Sequence, residues 1–376
     1  MPAPTSRRAS GATWMLYGAN GYTGRLVAAR ALEVGEEPVL AGRDAANVAE
    51  LAEELGLAWR AFPLGDPGSV RANVIDVAAV LCCAGPFVHT SAPLVEACLA
   101  TGTHYLDVTG EIPVFEAVLG RAAAARAAGV ALLPGVGFDV VPSDCLAAKL
   151  AAALPAAVEL ELAFAAVGGS WSRGTLKTVI EGLPHLGAVR RDRRIVAVPA
   201  AWDEKTIPFS CGPRRAVTIP WGDVSTAYHT TGIPNVRVYA AMPPRQIAWL
   251  RRLRPVAPWL GTRPLKRMLQ DLVAARVTGP DRATRERARM CLWGRAAAAP
   301  PPAGDGAEVT LTLDTPEGYS FTAVAAVECV RRVLAGAVEP GAWTPSRAFG
   351  AGFVESLPGV VVGRLATAPA GEKAVR

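Results

Sequence analysis

The chain has 376 residues, of which 51% are hydrophobic and 19% are charged. This composition predicts a globular protein with a sizeable core and excludes an intrinsically disordered chain. The net charge of +6 is mild for this length, and no helix-turn-helix or zinc-finger spacing is present, so the sequence predicts no nucleic-acid partner.

The cysteines and the chain start indicate the cellular environment. Seven cysteines are scattered along the chain without a CxxC pair, which predicts reduced thiols and no metal site. Residues 1–12 lack an apolar stretch and are predicted to be a flexible tail rather than a signal peptide. No charge-free apolar run reaches membrane-spanning length, so we expect a cytoplasmic protein.

The first predicted element is a short strand, Trp14 to Tyr17, which runs through a glycine-rich turn into a helix. In this pattern Gly18 makes the turn, Gly21 lets the backbone approach a phosphate, and Gly24 lets the helix pack on the strand. The helix N-terminus adds unpaired N–H donors. The stretch favours a dinucleotide site over an ordinary strand–helix turn, with the candidate residues Gly18, Asn20, Gly21, Tyr22, Thr23 and Gly24.

A second predicted strand, Pro38 to Ala41, ends at Gly42, Arg43 and Asp44. Proteins that bind NAD usually place a carboxylate at this strand end, on the ribose. A guanidinium there suits a 2′-phosphate instead, so Arg43 predicts NADP(H) as the cofactor. Two alternatives stay open, because Arg43 could be a solvated loop residue and Asp44 could cap the next helix.

The next two predicted strands are Ala58 to Leu64 and the continuous apolar run Val77 to Cys83. Asp66 follows the first of them, either to bind an adenine amino group or to cap a helix. The second of these strands ends at the sheet edge where ligands lie in this architecture. A glycine there would allow close approach to the nicotinamide, and a phenylalanine would pack against its ring. The candidate cofactor residues there are Cys83, Ala84, Gly85, Pro86 and Phe87.

The first domain is completed by alternating predicted elements, which are helix Ser91 to Thr101, strand His104 to Val108, helix Pro113 to Ala128 and strand Val130 to Leu133. This alternation predicts an α/β fold in which residues 13–141 form a Rossmann domain with a parallel sheet.

The rest of the chain predicts an α+β domain for substrate binding and dimerisation over residues 142–340, and a segment 341–376 that returns toward the first domain. Its predicted elements are helix Pro142 to Leu154, strands Val158 to Val167, Ile195 to Val198, Ala216 to Ile219 and Asn235 to Ala241, and a hairpin of Val309 to Leu313 with Ser320 to Val327.

Residues 246–268 form a basic segment with five arginines and Lys266 among tryptophans and leucines. Such a surface can rest on anionic lipid or on an acidic acyl carrier protein. The alternative is a helix pair whose apolar face is core and whose arginines are solvated.

Five stretches together resemble the saccharopine dehydrogenase-like oxidoreductase family, in the shorter branch that contains the trans-acting enoyl reductases. They are YGANGYTGRLV (17–27), LAGR (40–43), CAGPF (83–87), YLDVTGE (105–111) and GFDVVPSD (137–144). The resemblance implies an NAD(P)-binding Rossmann domain followed by an α+β substrate domain. Residues 185–305 contain no matching stretch.

Hydride transfer needs little from the protein beyond orientation of the substrate and one proton. The candidate donors Tyr105 and Asp107 lie on the same face of their strand because side chains alternate, and Glu111 follows the strand end. His89 has a suitable intrinsic pKa but could equally be a cap or a surface residue. Asp139 and Asp144 are further candidates.

The leading hypothesis is an NADPH-dependent reductase of an enoyl thioester, either a small molecule or a group carried on an acyl carrier protein. Reduction of an imine or amino-acid adduct is the first alternative. The second alternative is a non-catalytic NADP-binding sensor or a lipid-surface protein. Peripheral membrane contact is the less favoured of these possibilities. A homodimer through the second-domain sheet is a further hypothesis.

Overall fold

The computed structural model describes residues 13–169, 172, 176, 180, 187–256, 262–276, 278–299 and 306–369. The tail predicted at residues 1–12 lies outside the described residues.

The first part of the chain alternates strands and helices, as its hydrophobic pattern predicted. The elements are β1 (Trp14–Tyr17), α1 (Tyr22–Glu33), β2 (Val39–Gly42), α2 (Ala45–Leu55), β3 (Trp59–Ala61), α3 (Pro67–Val74), β4 (Ala79–Cys82), α4 (Phe87–Thr101), β5 (His104–Asp107), α5 (Ile112–Leu119), α6 (Ala122–Ala128) and β6 (Ala131–Leu133). The single helix predicted over 113–128 is two helices, because Gly120 and Arg121 form a turn between them.

The second part mixes strands and helices. Its elements are α7 (Val141–Ala153), β7 (Ala157–Val167), β8 (Ala188–Arg191), β9 (Arg194–Ala197), β10 (Glu204–Phe209), β11 (Gly212–Thr218), α8 (Asp223–Thr231), β12 (Asn235–Ala241), α9 (Pro244–Leu253), α10 (Arg263–Arg276), α11 (Arg282–Arg287), β13 (Arg289–Ala298), β14 (Ala307–Pro316), α12 (Gly318–Leu334), β15 (Gly341–Ala342), α13 (Pro345–Phe349), β16 (Val361–Val362) and β17 (Ala366–Pro369).

The first sheet has seven parallel strands in the order β15-β6-β5-β4-β1-β2-β3. Because all its strands run in the same direction, their carboxyl ends lie at one edge. The glycine turn and residues 83–87, 108–111 and 134–139 therefore meet along that edge. β15 adds residues from the end of the chain to this sheet, next to β6.

The predicted hairpin of 309–313 with 320–327 is wrong, because residues 320–327 belong to the helix α12. Glu317 starts this helix by accepting hydrogen bonds from the N–H groups of Tyr319 and Ser320, at 3.0 and 2.9 Å. β14 instead pairs with β13, β16 and β17. A short apolar run does not separate strand from helix, and here the cap and the packing of α12 on α1 decide for the helix.

The second sheet has ten strands, seven of them in the order β10-β11-β12-β7-β13-β14-β16. One continuous core joins it to the first sheet, since Leu16 and Leu81 of the first, Leu146 of α7 and Leu160 of the second belong to the same buried cluster. The two sheets therefore pack on a shared core. Among the described residues, no helix combines the length and apolar character that a membrane span needs.

Candidate active site and cofactor site

Gly18 lies where three strand ends meet. Its φ of +85° is in the left-handed region that favours glycine. Its N–H donates to the carbonyl of Ala41 at 2.7 Å, which ties the turn to β2. A Cβ atom there would lie 2.8 Å from the backbone N of Ala84, after β4. The turn that was predicted from sequence is therefore packed against both neighbouring strand ends.

The start of α1 is left open for an anion. Gly21 is its N-cap, no side chain caps it, and its first turn has no acidic residue. A Cβ atom at Gly24 would overlap the carbonyl oxygen of Gly18, so this glycine permits the close packing of α1 on the turn. Thr23 is partly exposed in the same first turn, and the amide oxygen of Asn20 lies beside Gly42 at the end of β2.

The end of β2 presents Arg43 to solvent. Within the described part of the chain, Arg43 makes no hydrogen bond and no ion pair. Asp44 caps α2 by accepting a hydrogen bond from the N–H of Asn47 at 3.2 Å. The guanidinium is therefore the free charge at this strand end, where an adenosine ribose is held in such folds. Asp66 is observed as the cap of α3, with the N–H of Gly68 at 3.0 Å.

Residues 83–87 form the turn from β4 into α4. The N–H of Cys83 donates to the carbonyl of Tyr17 at 2.8 Å, and the carbonyl of Ala84 accepts from the hydroxyl of Thr90 at 2.7 Å. Gly85 and Pro86, joined by a cis peptide bond, precede the helix. The ring of Phe87 is buried in the core of the first domain and does not wall the crevice, so this residue meets the site through its backbone.

Tyr105 and Asp107 share a face of β5, as alternation predicted, but both faces of this central strand are buried. Both residues are 0% exposed, and the hydroxyl of Tyr105 donates to Oδ2 of Asp107 at 2.8 Å. Oδ1 accepts from the N–H groups of Thr109 and Gly135, at 3.0 and 2.9 Å. Burial raises the pKa of Asp107 to about 6. This placement corrects their assignment as proton donors, because neither side chain reaches the crevice.

Glu111 connects two of the strand ends. Its carboxylate accepts hydrogen bonds from the N–H groups of Phe87 and Val88, at 2.7 and 2.9 Å, and so closes the N-terminus of α4. A carboxylate in this position is favoured by the helix dipole. The geometry makes Glu111 a fixed negative charge beside the crevice.

Asp139 follows β6 at the edge where the strand ends meet, and its carboxyl group has a raised pKa. Its carboxylate lies against Gly110, where an added Cβ atom would be 2.7 Å from Oδ2. The side chain is partly exposed, and its carboxylate accepts no hydrogen bond from the residues that the structure describes. Burial, and then the charge of Glu111, raise the pKa of Asp139 to about 7. The indole of Trp221 donates to its backbone carbonyl at 2.9 Å.

The other predicted acids do not join this site. Asp144 is fully buried and accepts hydrogen bonds from the N–H of Ser346, at 2.7 Å, and from the hydroxyl of Thr230. His89 is exposed in the first turn of α4, where its side chain makes no hydrogen bond to described residues. Within the described ranges, no group of His, Cys, Asp and Glu is arranged to hold a metal ion.

Three side chains of the second domain, which no sequence motif indicated, contact the candidate residues Asp139 and Tyr22. Trp221 precedes α8 and packs on Phe164 with ring centroids 4.8 Å apart. Tyr319 stacks edge-on against Tyr22 at 5.0 Å, and Arg285 donates to the Tyr22 hydroxyl at 3.0 Å. Trp221 and Arg285 lie in the stretch 185–305, which had no motif, so no sequence signal linked them to the glycine turn.

Comparisons with known proteins agree with this geometry. Residues 14–133 match the family model described as the saccharopine dehydrogenase NADP binding domain. The match confirms the predicted resemblance, the NADP(H) cofactor of the first domain and its oxidoreductase class.

The chain is also similar to two sequence relatives and to one solved structure. A trans-acting enoyl reductase of Mycobacterium leprae is 34% identical over 139 residues, which are 35% of this chain and 33% of that protein. A Mycobacterium tuberculosis protein, assigned provisionally by its name to the same class, is 32% identical over 183 residues, 45% of this chain and 43% of that protein. The chain thus matches less than half the length of these relatives. Saccharopine dehydrogenase (L-Glu forming) of Saccharomyces cerevisiae has a similar fold, with a TM-score of 0.63, 14% identity, and coverage of 95% of this chain and 100% of that one.

Proposed function

We propose, from a first domain of the saccharopine dehydrogenase NADP-binding type, that the chain is an NADPH-dependent reductase of an enoyl thioester or a related unsaturated acyl group. The observation that carries the proposal is Asp139, a partly exposed acid with a pKa of about 7 at the edge where the cofactor turn and the second domain meet. The names of the mycobacterial relatives support the choice of an enoyl substrate.

We assign each group of residues a proposed role in cofactor binding or in the reaction. The glycine turn and the start of α1 hold the cofactor phosphates, and Arg43 holds the 2′-phosphate. NADPH supplies the hydride when it is bound. Reduction of the alkene adds this hydride to one carbon and a proton to the carbon next to the thioester carbonyl.

Asp139 is the proposed source of that proton. A carboxylic acid with a pKa of about 7 remains substantially protonated near neutral pH, whereas an ordinary aspartate is ionised there. Gly110 lets the carboxyl group of Asp139 approach the backbone after β5 closely, since a Cβ atom there would lie 2.7 Å from Oδ2. Trp221 fixes the backbone of Asp139 from the second domain.

A basic surface supports an acyl carrier protein as the partner that presents the substrate. Residues 244–276 contain eight Lys or Arg and one Asp, a net charge of +7, whereas the whole chain carries +6. Exposed apolar side chains accompany these charges, with Trp249 64%, Met268 59% and Leu272 47% exposed. Carrier proteins are acidic, so a mixed basic and apolar surface complements them in charge.

The reaction is tested by NADPH oxidation on two panels, enoyl thioesters and amine–carbonyl mixtures, with the wild type and Asp139→Asn. We expect turnover on the thioesters, and a loss of about 10²- to 10⁴-fold in the variant, which cannot donate this proton. Turnover only on the amine–carbonyl panel would replace the proposal by imine reduction. Tight NADPH binding without turnover on either panel would favour a sensor.

The partner is tested by charge reversal at Arg252 and Arg267, both of which are exposed. The double variant Arg252→Glu, Arg267→Glu should raise KM for a carrier-bound substrate and leave KM for the free thioester unchanged. A matched control is Arg282→Glu, an exposed arginine outside the segment. Binding to vesicles with anionic lipid, with no effect on the carrier-bound substrate, would assign this surface to a membrane instead. The seven free cysteines fit the cytoplasmic location that we propose with this function.

A further inference from the structure

A residue of the second domain reaches the first turn of α1. The hydroxyl of Tyr22, the first residue of α1, donates to the carbonyl of Pro280 at 2.6 Å. Arg285 of α11 donates from one nitrogen to both that hydroxyl and that carbonyl, each at 3.0 Å. Gly279 permits the contact, since a Cβ atom there would lie 2.7 Å from the ring of Tyr22.

The position of Tyr22 places this contact beside the phosphate site. Helical side chains tilt toward the N-terminus, so a tyrosine in the first position extends past the start of α1. The start of α1 has no side-chain cap and no acid in its first turn, and Gly21 keeps it open. Arg285 therefore brings a positive charge to the region where an anion is to be bound.

The guanidinium of Arg285 forms hydrogen bonds only to uncharged groups of the described residues. Its neighbour Arg282 pairs with Glu286 at 2.7 Å, whereas Arg285 makes no ion pair with any described residue. Asp281 of the same segment caps α11 through the N–H of Thr284 at 2.7 Å. A guanidinium has five N–H donors, and the two bonds of Arg285 leave three of them without a partner among the described residues.

We propose that Arg285 binds the diphosphate of the dinucleotide from the second domain, with Tyr22 holding its guanidinium in place. The inference rests on the proposed function in one respect only, which is that the chain binds a dinucleotide cofactor. A guanidinium suits a diphosphate because its fork of donors meets two oxygens at once. The same contact couples cofactor binding to the position of residues 279–287.

Direct titration of NADPH and of NADH, without substrate, tests the proposal. Arg285→Gln should raise the Kd of both dinucleotides by a similar factor, about 10- to 100-fold, because the diphosphate is common to both. Tyr22→Phe removes only the hydroxyl that holds the guanidinium, and should give a smaller loss that is again equal for both. Arg282→Gln, on the same helix, is the matched control and should bind both like the wild type.

The outcomes separate this inference from the proposed function. Unchanged binding by Arg285→Gln, or a loss shared by Arg282→Gln, would overturn it and leave a purely structural contact between the domains. A loss confined to NADPH would also overturn it, since this would place Arg285 at the 2′-phosphate. Wild-type protein that binds neither dinucleotide would overturn the proposed function itself. Thermal unfolding of each variant confirms that it is folded.

Discussion

The carboxylate of Glu111 accepts a hydrogen bond from the backbone N–H of Phe87 at 2.7 Å and thereby joins the loop after β5 to the start of α4. The joined ends are those at which the cofactor and the substrate are proposed to meet. The same carboxylate contributes to the raised pKa of Asp139, after burial. One side chain thus shapes the crevice and tunes the acid in it.

We therefore predict that Glu111→Gln moves the alkaline limb of the kcat/KM pH profile to lower pH. The reaction needs protonated Asp139, so activity is present below the pKa of this acid and is lost as the pH rises through it. Removal of the negative charge of Glu111 lowers that pKa from about 7. The pH profile with an enoyl thioester measures the shift.

The control for Glu111→Gln is Asp66→Asn, which removes a carboxylate charge from the start of α3. Asparagine caps a helix about as well as aspartate, so the control should keep both its stability and its alkaline limb. If the alkaline limb of the kcat/KM pH profile lay at the same pH in the wild type and in Glu111→Gln, Glu111 would not affect the pKa of the catalytic acid.

Cofactor selectivity should depend on Arg43. Arg43→Asp should raise the Kd of NADPH by about 10- to 100-fold and leave that of NADH nearly unchanged, because only NADPH carries a 2′-phosphate. Fluorescence titration with both dinucleotides measures the ratio. Equal losses for the two would contradict the assigned role.

The close packing of the glycine turn should make Gly24 intolerant of any side chain. Gly24→Ala places a Cβ atom on the carbonyl oxygen of Gly18, so α1 must move and dinucleotide binding should fall by at least about 10-fold. Gly65→Ala is the matched control, since a Cβ atom there meets nothing within 4 Å. Isothermal titration with NADPH compares the two, and retained affinity in Gly24→Ala would refute this packing.

The buried acid Asp107 should make stability depend on pH. Its folded pKa of about 6 exceeds its ordinary value of 3.8, so its stabilising contribution is complete below about pH 4 and is lost as the pH rises to 6. Asp107→Asn cannot ionise. Its amide oxygen can still accept from the N–H groups of Thr109 and Gly135, and its NH2 can donate to the hydroxyl of Tyr105.

Urea unfolding between pH 4 and 7 measures this effect. The free energy of unfolding of Asp107→Asn, relative to the wild type, should rise across this window by an amount on the order of 3 kcal/mol. The Asp44→Asn control should show a nearly constant difference from the wild type in this window, because the hydrogen bonds from Asn47 lower the pKa of Asp44 and place its own change in stability below about pH 4. If the difference between Asp107→Asn and the wild type stayed constant with pH, Asp107 would be charged in the folded protein.

Local pattern in the sequence determined the parallel-sheet domain and its cofactor turn. A buried parallel strand is a continuous apolar run, and a glycine turn depends on residues adjacent in the chain, so both leave a readable signal. Gly18, Gly21 and Gly24 are predicted in this way, and so is the position of Arg43 at the end of β2. The strand ends that line the crevice followed from the common direction of the strands.

Only the tertiary structure decided which acids face the crevice. Alternation put Tyr105 and Asp107 on one face of β5, but the elements packed on the sheet bury both faces of this strand. The same holds for α12, whose apolar residues fit a strand equally well until α1 supplies the surface they pack against. Arg285 and Tyr22 are 263 residues apart in the chain, and their contact exists only because the shared core brings the second domain over the start of α1.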